Sequence, residues 1–306
     1  MKTKEAKNIA ASVRARLLVK AKQLGLDYNR MLLLYVQERF LYRLSCSEYR
    51  TQLILKGGML FYGAHREKAR TTKDIDLLAA KIPNNEAFIL KCFQNIFSIE
   101  AEDGVQFLDD TIKIEKIAED AAYEGVRLKF HAKLETAIIP IQIDIGFSDR
   151  IFPHPVRFEY PVLLTNEPIA VMAYSWESII AEKFEAIIKL GLLNSRMKDF
   201  YDIYFLQRHH DFNGETLCSA VALTFKYRKT DIASGGECFS EAFMNDPKKQ
   251  KQWQAFQRKV GLATAISFEY VIKTIENFLS PVLAAISNKS KLASKRDCHL
   301  QMWINE

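Results

Sequence analysis

Alternation of apolar and polar positions marks the middle of this chain as a sheet. Val126-Arg127-Leu128-Lys129-Phe130-His131-Ala132-Lys133-Leu134 puts apolar side chains on one face and basic ones on the other. Ile139, Ile141, Ile143 and Ile145 recur two residues apart, leaving Gln142 and Asp144 on the opposite face. Residues 111–117 read as a further strand. Upstream, Leu53-Ile54-Leu55 predicts a short strand running into Gly57-Gly58, followed by a short helix over 59–64 and a second strand over 74–80. Residues 86–97 have helical spacing. Residues 5–45 predict two helices, with Asp27 as N-cap of the second and Met31, Leu34, Leu41 and Leu44 turned toward a core.

The pattern changes near residue 170. Beyond it the spacing is helical over 175–190, 197–208, 214–228, 246–258 and 265–286, and residues 288–306 are polar, basic and expected to be loosely ordered. The fold class expected is α+β: a mixed-sheet α/β domain with N-terminal helices over 1–170, and a C-terminal helical domain over 171–306.

Composition changes this picture little. Among 306 residues, 48% are hydrophobic and 26% charged, the balance of a soluble globular chain. The longest apolar runs are too short to span a bilayer, and the polar N-terminus has no signal-peptide core. No membrane partner and a cytoplasmic location are expected. Five scattered cysteines, without zinc spacing, argue against a disulfide framework or zinc site. Net charge is +6, and its basic residues cluster. Arg14, Arg16, Lys20 and Lys22 form one patch; Lys248, Lys249 and Lys251 a second; Lys289, Lys291, Lys295 and Arg296 a third. Such patches suit a polyanion such as RNA, although each alone also fits a solvated helix face.

The chemistry is concentrated in a few polar residues at apolar addresses. Asp74 and Asp76 flank Ile75 and therefore share one strand face. Two carboxylates so close repel unless a cation lies between them, and Mg²⁺ or Mn²⁺ with substrate phosphates is a suitable cation. An isolated pair of this kind is more often a solvated strand end. Asp144 interrupts a regular isoleucine alternation; if its strand pairs with 74–80, three carboxylates share a face, the arrangement of two-metal transfer. In the segment from Ser175 as N-cap to Gly191, Lys183 falls inside the apolar arc of Trp176, Ile179, Ile180, Phe184 and Ile187, while Glu182 and Glu185 lie on the polar side. An inward ammonium calls for an anion, unless the side chain snorkels past its neighbours. On the next helix Asp199 lies with Phe200, Ile203 and Leu206, Asp202 at the edge of that arc, and a Lys183–Asp199 pair lining a cleft is expected, or else a buried structural ion pair.

These motifs occur in a telling order. Lys56-Gly57-Gly58, then Arg70-x-Thr72-x-Asp74-Ile75-Asp76-Leu77, then Ile143-Asp144-Ile145-Gly146, then Ala181-Glu182-Lys183-Phe184-Glu185-Ala186, then Arg196-x-Lys198-Asp199-Phe200-Tyr201-Asp202-Ile203 resembles the AbiEii/AbiGii nucleotidyltransferase toxins of the DNA polymerase β-like superfamily. The stretch Glu38-Arg39-Phe40-Leu41-Tyr42-Arg43-Leu44-Ser45 is similar to that family as well. The resemblance spans roughly residues 8–210. It implies a nucleotidyltransferase core with Asp74, Asp76, Lys183 and Asp199 catalytic. The nucleotide would meet Lys56, Gly57, Gly58, Arg70, Thr72, Lys183 and Asp202. Asp74, Asp76 and Asp144 would hold the metal. Family members often carry Gly-Ser where this chain has Gly57-Gly58. It further implies a nucleoside triphosphate substrate, an RNA acceptor such as a tRNA 3′ end, and a cognate antitoxin protein. Transfer to a small molecule or a protein, and a non-catalytic nucleotide- or RNA-binding module, are the alternatives.

Overall fold

The computed structural model describes residues 2–66, 69–70, 72–120, 123–147, 150–165, 167–262 and 264–305. The chain divides into two compact units, Met1–Asp149 with Val156–Ala173, and Arg150–Pro155 with Tyr174–Glu306.

The first unit is built on a seven-stranded mixed sheet. Its elements are α1 (Lys2–Leu24), α2 (Tyr28–Cys46), β1 (Leu53–Lys56), α3 (Gly57–His65), β2 (Ile75–Ala79), α4 (Glu86–Phe97), β3 (Val105–Asp120), β4 (Tyr123–Leu134), β5 (Ala137–Gly146), β6 (Val156–Tyr160) and β7 (Ile169–Ala173). Strand order is β3-β4-β5-β2-β1-β7-β6. β2 runs parallel to β5 and antiparallel to β1, and β1 is parallel to β7. Asp27 caps α2 as expected, its side chain accepting from the Arg30 N–H at 3.0 Å. The strands of residues 126–134 and 139–146 keep their alternation: Val126, Leu128, Phe130, Ile141, Ile143 and Ile145 are buried.

Two departures have simple causes. The strand expected over 111–117 is longer, Val105–Asp120, with a register break between Leu108 and Lys113 that hides its period. β6 and β7 were not anticipated, because five-residue segments beside prolines give little periodic signal.

An aromatic cluster forms the core of this unit: Phe40 stacks on Phe93 at 5.7 Å, Phe97 on Phe107 at 5.0 Å, and Phe130 closes on Phe97 at 4.7 Å. Each buried ring contributes about 1.5–3 kcal/mol. The polar residues of the 38–45 stretch brace this core. Glu38 is buried and accepts the Leu163 N–H at 2.6 Å, and Arg43 makes a two-pronged bond to Asp103 at 2.7 and 3.1 Å.

The second unit is helical, with α5 (Trp176–Leu190), α6 (Met197–Leu206), β8 (Phe212–Asn213), α7 (Gly214–Arg228), α8 (Glu241–Met244), α9 (Pro247–Val260), α10 (Phe268–Ser287), β9 (Ser294–Asp297) and β10 (Met302–Asn305). The tail expected to be loose is ordered. β10 pairs with β9 and β9 with β8 in a three-stranded antiparallel sheet. The polar composition concealed two anchors. Arg296 is buried, donates to Gln207 Oε1 at 2.7 Å and lies over the Phe278 ring. Trp303 stacks on the same ring and donates to the Phe278 carbonyl at 3.0 Å.

Candidate active site

A row of charged residues crosses the first unit's sheet in register. Lys56 on β1 stands opposite Asp76 on β2, Asp76 opposite Asp144 on β5, Asp144 opposite Arg127 on β4, and Arg127 opposite Glu115 on β3. Directly paired residues share a sheet face. The expected pairing of the 74–80 and 139–146 strands is therefore present, and it brings Asp76 and Asp144 side by side. Asp74 precedes β2 by one residue, and both it and Asp76 are half-buried.

The glycine turn closes on Asp76. Gly57 has φ +66°, the left-handed region that side chains rarely enter. A Cβ at Gly57 would lie 1.9 Å from Asp76 Oδ2, and one at Gly58 would lie 2.5 Å from Thr72 Cβ. Both glycines are therefore fixed by the approach of other side chains to the backbone. The Gly58 N–H, in the first turn of α3, donates to Asp76 Oδ2 at 3.3 Å. Backbone N–H groups at a helix start favour negative charge there. Thr72 donates to the Asp74 carbonyl at 3.2 Å, and Gln37 to the Lys73 carbonyl at 2.8 Å, which fix the approach to β2. Lys56 is buried, and Arg70 is half-buried.

Asp144 differs from its neighbours. Arg127 grips it with two parallel bonds, Nε to Oδ1 and Nη2 to Oδ2, both 2.8 Å, and Gln142 adds a third at 3.3 Å. These bonds hold the Arg127 guanidinium above its usual range, with the charges of Asp74 and Glu115 adding to the effect. Among the described residues no group of three or more His, Cys, Asp or Glu is arranged to hold a metal. Asp144 stands opposite Asp76 in register with both its oxygens bonded by Arg127, and its reading as third metal ligand is a proposal. Sequence reasoning missed Arg127, although it lies on the basic face of the regular 126–134 alternation; only the register reveals its partner. Asp74, just before β2, and Asp76, beside the start of α3, are hard carboxylate donors of the kind that suit a cation shared with substrate phosphates.

In the second unit Lys183 meets both candidate aspartates. Its Nζ lies 2.9 Å from Asp199 Oδ1 and 2.7 Å from Asp202 Oδ2, and Arg196 Nε lies 2.7 Å from Asp199 Oδ2. Asp199 and Asp202 are fully buried, and Lys183 retains 13% side-chain exposure. The expected inward pair is present as a triad, with Asp202 equal to Asp199. The polar side assigned to Glu185 is corrected. Glu185 is fully buried, paired with Arg228 at 2.9 Å and hydrogen-bonded by Thr230, because α7 packs along that side of α5.

The three basic patches are partly consumed by the fold. Arg14 bonds Glu135 and Thr136 at 2.6 and 2.8 Å, and Lys20 the Leu163 carbonyl. Lys249 is buried and donates to the Asn194 carbonyl. Lys291 pairs with Glu215 and Lys295 with Asp211. Arg16, Lys22, Lys248 and Lys251 remain exposed. Among the described residues no helix is long and apolar enough to cross a membrane.

No protein of curated function matches the chain. A crystal structure of a candidate nucleotidyltransferase from H. pylori is similar, with a TM-score of 0.51 at 14% identity, over 87% of this chain and 99% of that one. JHP933 from Helicobacter pylori gives a TM-score of 0.49 at 14% identity over 83% and 93% of the two chains. The family model for the nucleotidyl transferase AbiEii toxin of type IV toxin–antitoxin systems matches residues 39–274. That span takes in the glycine turn, the paired aspartates and the Lys183 triad, and the chain belongs to the AbiEii nucleotidyltransferase toxin family.

Proposed function

We propose that this toxin nucleotidyltransferase moves a nucleoside monophosphate from a nucleoside triphosphate to the 3′ hydroxyl of an RNA, with a tRNA end as the favoured acceptor. The observation that carries the reading is the contact of Gly57-Gly58 with Asp76, which sets a carboxylate against the backbone N–H groups that open α3. A polyanion with its counter-cation suits that junction; an isolated anion meets the Asp76 charge. Asp74 and Asp76 would hold Mg²⁺ or Mn²⁺, which when bound neutralises phosphate charge and eases ionisation of the attacking hydroxyl. The Gly58 N–H orients Asp76, and Gln37 and Thr72 fix the backbone that carries Asp74. Arg127 bonds both oxygens of Asp144 beside the pair. In the transfer the acceptor oxygen bonds to the α-phosphorus, the bond from that phosphorus to the bridging oxygen breaks, pyrophosphate leaves, and the hydroxyl proton passes to solvent. Lys183, Asp199 and Asp202 enter this assignment on the family resemblance. A cognate antitoxin protein is proposed on the same ground.

The test is incorporation from each α-labelled triphosphate into total RNA, purified tRNA and total protein, with Mg²⁺ or with chelator. Metal-dependent label at RNA 3′ ends is the expected result. Label in protein or a small molecule, or binding without incorporation, would replace the RNA reading.

A further inference from the structure

β5 carries a slot beside the aspartate pair. β2 pairs only with Ile143–Gly146 of that strand, so the edge over residues 137–142 has no strand beside it among the described residues. Pro140, which has no N–H to leave unpaired, sits in this open edge. Facing it are the start of α2 and the Thr72–Asp74 segment. The result is a cavity of about 910 Å³, the size of a small-ligand site. Its walls are mainly apolar, including Leu33, Ile138, Ile139 and Pro140, and Asp74 lines it. Asp76 does not; it faces the glycine turn instead. The two aspartates thus open on different surroundings.

The outer face of the same strands is basic. Lys113 and Lys129 line the cavity, and Lys133 stands opposite Ile138 in register. Lys129 is held by Glu115 at 2.8 Å, whereas Lys113 and Lys133 are exposed. An apolar slot that ends on a carboxylate and is flanked by lysines matches the end of a single strand: a flat base, a terminal hydroxyl and a trail of phosphates.

We propose that this slot seats the 3′-terminal nucleotide of a single-stranded RNA end. The base lies against Leu33, Ile138 and Pro140, the 3′ hydroxyl is directed to Asp74, and the preceding phosphates lie along Lys113 and Lys133. The triphosphate then belongs to the Asp76 side. The inference rests on the RNA-transfer reading above, and it assigns the acceptor's polarity in the site.

Two measurements test it on the full chain, using an RNA substrate with 4-thiouridine at its 3′ terminus. Ultraviolet crosslinking should map to residues 129–142. The double variant Lys113→Glu/Lys133→Glu should raise the KM for RNA at least tenfold and flatten the log–log salt dependence by about 1 to 2, as expected for two lost phosphate contacts. Ile138→Glu, at a side chain already 54% exposed, should raise the same KM. Lys116→Glu, the same substitution at an exposed position on the opposite face of β3, should leave it unchanged. Transfer to RNA that persists with an unaltered KM in the double variant and in Ile138→Glu, or a crosslink outside 129–142, overturns the slot and leaves the transfer reading standing. Absence of any transfer to RNA by the wild-type protein overturns both.

Discussion

The aspartates of the two units are held in opposite ways. At the sheet, Asp74 and Asp76 are half-buried, Asp74 just before β2 and Asp76 within it, and the Asp76 carboxylate accepts one long backbone bond from Gly58. On α6, Asp199 and Asp202 are fully excluded from water and tied to Lys183 and Arg196 at 2.7–2.9 Å. The first arrangement keeps its carboxylates within reach of solvent. The second consumes its own charges, and its integrity depends on every partner being present. Similar motif residues can therefore differ in what a substitution breaks: chemistry in the first unit, the fold in the second.

The sharpest separation should come from Asp76→Ala. Loss of one cation-holding carboxylate should lower transfer about 10³-fold, equivalent to about 4 kcal/mol of transition-state stabilisation. The melting temperature should hold or rise slightly, because carboxylate repulsion is relieved. Activity assays paired with thermal melts check this, and wild-type turnover in Asp76→Ala would remove the proposed site.

Lys183→Met should do the reverse. Methionine keeps the apolar stem, but two buried carboxylates lose their shared cation, and stability should fall by about 3–5 kcal/mol in urea unfolding. The sequence by itself predicts lost activity without lost stability for this variant. A stable but inactive Lys183→Met would show that the triad serves the substrate alone.

The two units should also respond oppositely to acid. Burial pushes the Glu38 carboxyl up to about 7, above its unfolded value. Between about pH 4.5 and 7 the folded form then binds the extra proton, so the first unit gains stability as pH falls, by about 3 kcal/mol in all. Burial against Trp176 lowers the His210 imidazole to about 4. There the unfolded form binds the extra proton, and the second unit loses stability as pH falls from about 6.5 to 4. Hydrogen exchange across pH 4–8, read unit by unit, should show slopes of opposite sign. Glu38→Gln should flatten the first and His210→Phe the second; slopes of equal sign would refute the contrast.

Asp144→Asn should have the smallest effect. With Asp144 engaged by Arg127, its neutralisation should cost transfer less than about tenfold and leave the Mg²⁺ concentration dependence unchanged. A loss equal to that of Asp76→Ala, with a shifted Mg²⁺ dependence, would make Asp144 a metal ligand.

The sequence by itself determined the local order of this protein. Strand alternation put Asp76 on the face opposite Ile75 and Leu77, helical period turned Lys183 and Asp199 inward, and side-chain caps fixed helix starts such as Tyr28 and Trp176. These are short-range consequences of backbone geometry, legible without a partner. Tertiary structure alone decided what each charge meets. Register set Arg127 against Asp144, the packing of α7 buried Glu185, Phe278 ordered a polar tail through Arg296 and Trp303, and internal bonds took up Arg14, Lys20 and Lys249. The physical reason is that an ion pair or hydrogen bond joins residues up to a hundred or more positions apart, and no period within either segment encodes the distance between them.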